Sequence, residues 1–293
     1  QTGSVQTKVY GMAERNSDAW NVSARYNKRN FLTENMTLKA TLSQTWDHSL
    51  TIDTAYRKYY WDGGYIVSQR NEIRGGEPSM RHYKRPLTIA RANLDYQLNE
   101  HHGFNLNYNL SRTGNDRYDD LDKSFVPSND AVTKHILGLT YSQSFFDGKM
   151  QNVFFAKDYV NRPNIQQTDQ STVTGSNKVQ GAATKNYFGY GAGLRYEFFA
   201  PLAVKVSYEH SVRLPIAREL LGNGTTIYAN VALEPEKSDN VNFAMFGTWF
   251  PAAGHSIYYE ANGFLRYVDN YIQTSVIEKE GMLQYVNDPA VHI

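Results

Sequence analysis

Cations and aromatic rings interleave through one long polar stretch of this 293-residue chain. From Arg57 to Arg85 the cations Arg57, Lys58, Arg70, Arg74, Arg81, Lys84 and Arg85 stand against Asp62, Glu72 and Glu77, with Tyr59, Tyr60, Trp61, Tyr65 and Tyr83 among them. A guanidinium fork matches a carboxylate or phosphate through parallel N–H donors, and an aromatic ring covers the apolar part of a small molecule. The stretch suits capture of an anionic small-molecule ligand, with Arg74, Arg81 and Tyr83 as candidate contacts. The competing reading is a solvated charged loop. Further along, Arg213 is another candidate contact, and Glu219 nearby offers it an internal ion pair instead.

Other constellations carry less. Asp116, Asp119, Asp120 and Asp122 supply oxygens, but a calcium loop needs an intervening Gly and a distal bidentate Glu that this spacing lacks, so a solvated acidic loop is expected. His101 and His102 are adjacent in a short turn, and a shared metal is not expected. Cys is absent, which excludes disulfides, thiolate zinc sites and cysteine nucleophiles. No Gly-x-Ser-x-Gly elbow, phosphate-binding Gly loop or His-Glu-x-x-His occurs, so neither an enzyme nor a cofactor is expected. With 30 Lys plus Arg against 29 Asp plus Glu, the net charge of +1 leaves no footprint for nucleic acid.

The elements that must position these side chains are strands. Ala90, Ala92, Leu94, Tyr96 and Leu98 share one parity while Arg91, Asn93, Asp95 and Gln97 hold the other, a period of two. The pattern returns at Trp20 to Tyr26, Met36 to Leu42, Phe104 to Leu110, Phe188 to Phe198 and Leu202 to Tyr208, and less regularly at Leu137 to Tyr141, Val153 to Phe155 and Val241 to Leu265. No run of about 18 apolar residues exists, so no helix can cross a bilayer. Tilted strands of about 13 residues can, each spanning about 30 Å.

Connections alternate in length. Short ones fall near Phe31 to Thr33, Asn99 to Gly103, Phe146 to Lys149, Ala200 to Pro201 and Pro251 to Gly254. Long polar ones run from Arg57 to Arg85, Arg112 to Thr133, Asp158 to Lys185 and Ser211 to Asp239. Pro78, Pro127, Pro163, Pro215 and Pro235 fall in the long connections, and no strand interior is expected to contain proline. About ten antiparallel strands follow, apolar to lipid on one face and polar to a lumen on the other, with short periplasmic turns and long extracellular loops. A soluble sandwich would also alternate, but with shorter strands and no segregation of loops by length.

One segment goes beyond pattern. It runs Ser211-x-Arg213-x-Pro215, then Glu219-Leu220-x-Gly222-x-Gly224, then Asn230-x-x-Leu233-x-Pro235-Glu236-x-Ser238-x-Asn240. This composite closely resembles the C-terminal barrel half of TonB-dependent outer-membrane receptors, with Val231 where the family has Pro after the Asn. The stretch Tyr258 to Ile272 followed by Gln284-Tyr285-Val286-Asn287 is similar to the family's next hairpin. The resemblance implies that residues 1–293 are part of an antiparallel transmembrane β-barrel of about 22 strands, with both ends cut and the plug domain outside this chain. It further implies a Gram-negative outer-membrane transport receptor that binds a scarce, siderophore-like or other small-molecule ligand at extracellular loops and imports it with TonB-supplied energy. The partners implied are outer-membrane lipid and lipopolysaccharide, whose phosphates could also engage the loop cations, and the TonB energy-coupling complex acting through the plug. Haem receptors of the family resemble one another in boxes with a His between them, and none lies between Pro215 and Asn230, so haem import is not expected. The alternative is a small closed outer-membrane barrel acting as a protease or adhesin.

Overall fold

The computed structural model describes residues 14–53, 57–62, 65–70, 78–123, 125, 127–165, 184–199, 201–222, 227–277 and 282–292. In chain order the elements are β1 (Glu14–Arg29), β2 (Met36–Asp53), β3 (Arg57–Asp62), β4 (Tyr65–Arg70), β5 (Ser79–Lys84), β6 (Leu87–Gln97), β7 (His102–Asp119) and β8 (Ser128–Phe145). They continue with β9 (Met150–Asn164), β10 (Lys185–Phe199), β11 (Leu202–Arg213), α1 (Ala217–Leu221), β12 (Ile227–Tyr228), β13 (Glu236–Ala252), β14 (His255–Ile277) and β15 (Met282–His292).

All the strands but β3 and β4, which form their own hairpin, belong to one 13-stranded sheet. β5 and β6 both pair with β2 and with β7, so they are two halves of one strand interrupted at Arg85 and Pro86. Proline brings no N–H to the ladder, which is why the break falls there. Neighbours in sequence are neighbours in space throughout this antiparallel meander, except that β12 pairs parallel with β15. Among the described residues β1 pairs only with β2 and so forms one edge of the sheet, while at the other end β15 pairs with β14 along its length and is covered on its far side only at Leu283 and Gln284, by the two-residue β12.

The registers carry one apolar face across the whole sheet. Trp20 opposes Trp46, Leu42 opposes Ala90, Leu94 opposes Leu106, Leu106 opposes Leu139, Leu194 opposes Val206 and Val206 opposes Phe243. Most large side chains on this face are exposed: Trp20 by 72%, Leu139 by 52% and Leu265, which opposes Val241, by 71%. So wide an apolar surface demands an apolar solvent, which lipid supplies. The other face carries Asn21, Asn93, Asn107, Lys157, Glu209 and Asn242 at interleaved positions. The architecture is the partial transmembrane β-barrel wall expected from the sequence.

Two expectations need correction in detail. β7 runs on to Asp119 and β8 begins at Ser128, leaving a connection of 120–127 where a loop from Arg112 to Thr133 was expected. The stretch Arg57 to Arg85 likewise contains β3, β4 and β5. Beyond the lipid, both faces of a strand meet water, so the apolar alternation disappears while the backbone ladder continues. Prolines also enter strands. Pro163 lies in β9 beyond Asn161, where β9 makes its last pairing with β10, so one side of the strand has no ladder to disturb. Pro251 lies at the end of β13, past the register shift after Trp249. Pro289 in β15 stands where the register skips Asn270, whose φ is 56°.

Candidate functional site

The connection from β11 to β13 folds back over the polar face at the long-loop end of the sheet. Leu220, Leu221 and Leu233 from this connection pack with Val132 of β8, Ile165 and Ile272 of β14 in a buried cluster. Val231, where the family motif has Pro, packs against the same cluster. Polar backbone near such a core must be paired, and the motif residues do the pairing. Arg213 Nε and Nη2 donate to the two carboxylate oxygens of Glu236 at 2.8 and 2.9 Å, while Nη1 donates to Glu219 at 3.1 and 3.2 Å. Glu219 sits at the third helical position of α1 and accepts the Ile216 N–H at 2.8 Å, which closes the helix start. Glu236 accepts the Ile272 N–H at 2.8 Å, so the same carboxylate ties β13 to β14.

The remaining motif positions complete this clasp. The Ser211 and Ser238 hydroxyls face each other at 2.8 Å, and the Asn240 amide donates to both, at 3.2 and 3.0 Å. Pro215 lies two residues beyond the end of β11 and is fully buried. Gly222 ends α1 with φ 65° and ψ −164°, a region open to glycine alone. Gly224 lies outside the described residues. Asn230 donates to the Tyr285 carbonyl at 2.8 Å, Gln284 donates to the Ala229 carbonyl at 2.9 Å, and Asn287 holds both the N–H and the carbonyl of Glu234 at 2.9 Å. The two separate sequence motifs are thus two halves of one fastening, in which β15 grips the connection that contains α1. Pro235 and Leu233 are buried beneath it.

The ion-pair partners of the other candidates are equally definite. Arg81 lies 3.4 Å from Asp119 and 3.8 Å from Asp122, and its guanidinium stacks on Phe125 at 4.3 Å. Asp119 also accepts the backbone N–H groups of Met80, Leu121 and Asp122, so it organises the turn after β7. Asp120 meets His82 at 3.0 Å, and Arg117 meets the buried Asp130 at 3.6 Å. Arg74 lies outside the described residues.

Between this clasp and the sheet is a cavity of about 410 Å³. Its wall is the polar face of the sheet, with Arg15 from β1, Tyr83 from β5, Arg85 and Asn115. Its roof is α1, through Ala217, Arg218 and Leu221. Tyr83 is only 5% exposed and forms part of this wall. Arg213 lies outside the cavity lining, as does Arg81. Arg15 and Arg218 escape sequence reasoning, because Arg15 precedes the first legible repeat and Arg218 falls between the motif's recognisable residues, Pro215 and Glu219. Only the folding back of α1 joins them.

The geometry can now be set beside known proteins. A family model described as TonB dependent receptor-like, β-barrel, matches residues 3–292. The copper transporter OprC superposes with a TM-score of 0.66 at 12% identity, over 92% of this chain and 41% of that one. A double mutant of the Serratia marcescens hemophore receptor HasR, solved with its hemophore HasA and heme, gives 0.63 at 14% identity, over 96% of this chain and 45% of that one. The FrpB iron transporter of Neisseria meningitidis gives 0.64 at 11% identity, over 95% of this chain and 40% of that one. At such identities these likenesses show the fold alone, and the chain spans less than half the length of each. No curated protein matches the sequence. The family match over almost the whole chain, on a sheet whose motif residues form one fastening, places this chain in the TonB-dependent receptor β-barrel family.

Proposed function

We propose that this chain is the wall of an outer-membrane import receptor, which captures a small molecule at its long-loop end and passes it inward with TonB-supplied energy transmitted through a plug domain. The observation that carries the reading is the cavity on the polar face, roofed by α1, at the end where the long connections gather. Its volume of about 410 Å³ lies in the range of small-molecule sites. The clasp supports this role by holding the roof at a fixed height over the wall, which pre-organises the cavity. Lipid and lipopolysaccharide would cover the apolar face, and cations near the loop end would meet lipopolysaccharide phosphates.

The test compares the source bacterium with strains lacking the receptor or lacking the energy-coupling protein. Depletion of metals and organic solutes from the medium is followed by mass spectrometry under nutrient limitation. At least one solute should persist in the medium of both deletion strains and be consumed by the parent. If all three strains deplete every solute alike, the import reading fails.

A further inference from the structure

Charge balance around the cavity is uneven. Its lining includes three guanidinium groups, Arg15, Arg85 and Arg218, and no Asp or Glu among the described residues. Arginines close by are answered by carboxylates: Arg81 by Asp119 and Asp122, Arg117 by Asp130, and Arg213 by Glu219 and Glu236. Among the described residues the cavity arginines are not. Arg15 donates to the neutral Ser49 hydroxyl at 3.0 Å, and Arg85 leans over the Tyr83 ring at 5.7 Å. No carboxylate among the described residues lies within ion-pairing distance of Arg15, Arg85 or Arg218.

Like charges gathered in one concavity repel one another and focus a positive potential into it, because the surrounding wall has a low dielectric. Two of these charges stand on the sheet and one on α1, so an anion between them would draw the roof and the wall together. Guanidinium groups favour planar or tetrahedral oxyanions, to which they offer paired N–H donors. The Asn115 amide and the Thr51 and Thr113 hydroxyls add neutral hydrogen-bonding groups to the same lining, and Tyr83 adds an aromatic surface.

We propose that this cavity is an anion site that takes a small polycarboxylate or similar oxyanion-rich ligand between Arg15, Arg85 and Arg218. The assignment rests on the import reading and gives its ligand class. Its chemistry is common to a free oxyanion and to the oxyanion groups of a chelated metal, and the probes below separate these.

Citrate, inorganic phosphate, ferric citrate and the neutral triethyl ester of citrate are titrated into the full-length receptor in detergent by calorimetry. Citrate or its ferric complex should bind, and the ester should not. Tighter binding of the ferric complex would identify a chelated metal as the fuller ligand; equal binding would identify the free anion. The affinity should fall as salt rises from about 50 to about 500 mM, as screening requires. R85Q/R218Q should weaken binding at least about tenfold, the scale of two lost charge-assisted contacts. R85K/R218K keeps the charge and should stay nearer the parent, which separates charge from a folding defect. Absence of binding by all three anions overturns the assignment, as does equal affinity in the parent and R85Q/R218Q. The import reading fails separately, through unchanged depletion in the receptor deletion. If that depletion is receptor-dependent but R85Q/R218Q cells perform it at the parental rate, import stands and the anion site does not.

Discussion

Replacing Arg213 with Ala removes the centre of the clasp. Glu236 is 5% exposed and Glu219 is 7% exposed, so both carboxylates would be left buried without their guanidinium. Breaking a buried pair from one side costs about 3–5 kcal/mol. The Arg213 side chain is itself 41% exposed, so water can enter in its place, and the cost falls to about 2 kcal/mol. That energy holds α1 and the rest of the connection on the sheet, not the barrel as a whole. Local opening should therefore become about 30-fold more frequent, at a factor of ten for each 1.4 kcal/mol. Hydrogen–deuterium exchange of the full-length receptor reads this directly at the amides of Ile216 and Ile272, which donate to Glu219 and Glu236. Amides in the middle of β7 and β8 should keep their parental rates. Adding E236Q to R213A should recover part of the loss, because the second change removes a stranded charge, with a coupling of about 1 kcal/mol or more. Unchanged exchange at Ile216 and Ile272 in R213A, or strict additivity in the cycle, would refute the view that this ion triad fastens the connection.

Three further outcomes are expected. G222A places a side chain at φ 65° and ψ −164°, which costs about 1–3 kcal/mol, and should speed exchange at Gly222's own position, whose N–H bonds Arg218. L139R puts a cation on the lipid-facing side and should lower the urea midpoint for refolding into vesicles by an amount corresponding to about 2–4 kcal/mol, whereas N107R on the polar face should cost far less. Equal costs would mean that the faces have been assigned wrongly. The hydrogen bond from Lys185 holds the Glu234 carboxyl below the usual glutamate range. A carboxyl with a depressed folded-state pKa contributes stability above its unfolded value near 4.5, and that contribution is lost as pH falls through the lower folded value. Protection factors in residues 229–234, taken relative to the intrinsic exchange rate at each pH, should fall on acidification through that window, and K185Q should flatten the response.

Much of the wall was legible in the sequence, because a strand between lipid and a polar lumen must alternate. Leu106 and Leu139 sort to one face, and Asn105 and Asn107 to the other, from residue order alone. The short turns were equally plain, since each interrupts an alternating run. Strand ends were not, because above the lipid both sides of β7 are wet and Arg112 to Asp119 show no period although they remain paired.

The composite motif from Ser211 to Asn240 was recognisable as a pattern, but its purpose was not. Nothing in the order of residues says that Arg213 meets Glu219 and Glu236 together, or that Asn287 grips Glu234 across 53 positions. Ion pairing depends on distance in space, and only the folding of α1 onto the sheet sets those distances. For the same reason the sequence drew attention to Arg81 and Arg213, whose charges the structure shows to be answered. It passed over Arg15 and Arg218, which share a cavity with Arg85 only because the connection turns back over the polar face. Alternation along a strand is a local property, and sequence alone determined it; the convergence of charges from β1, the break between β5 and β6, and α1 is a property of the tertiary fold, which alone decided it.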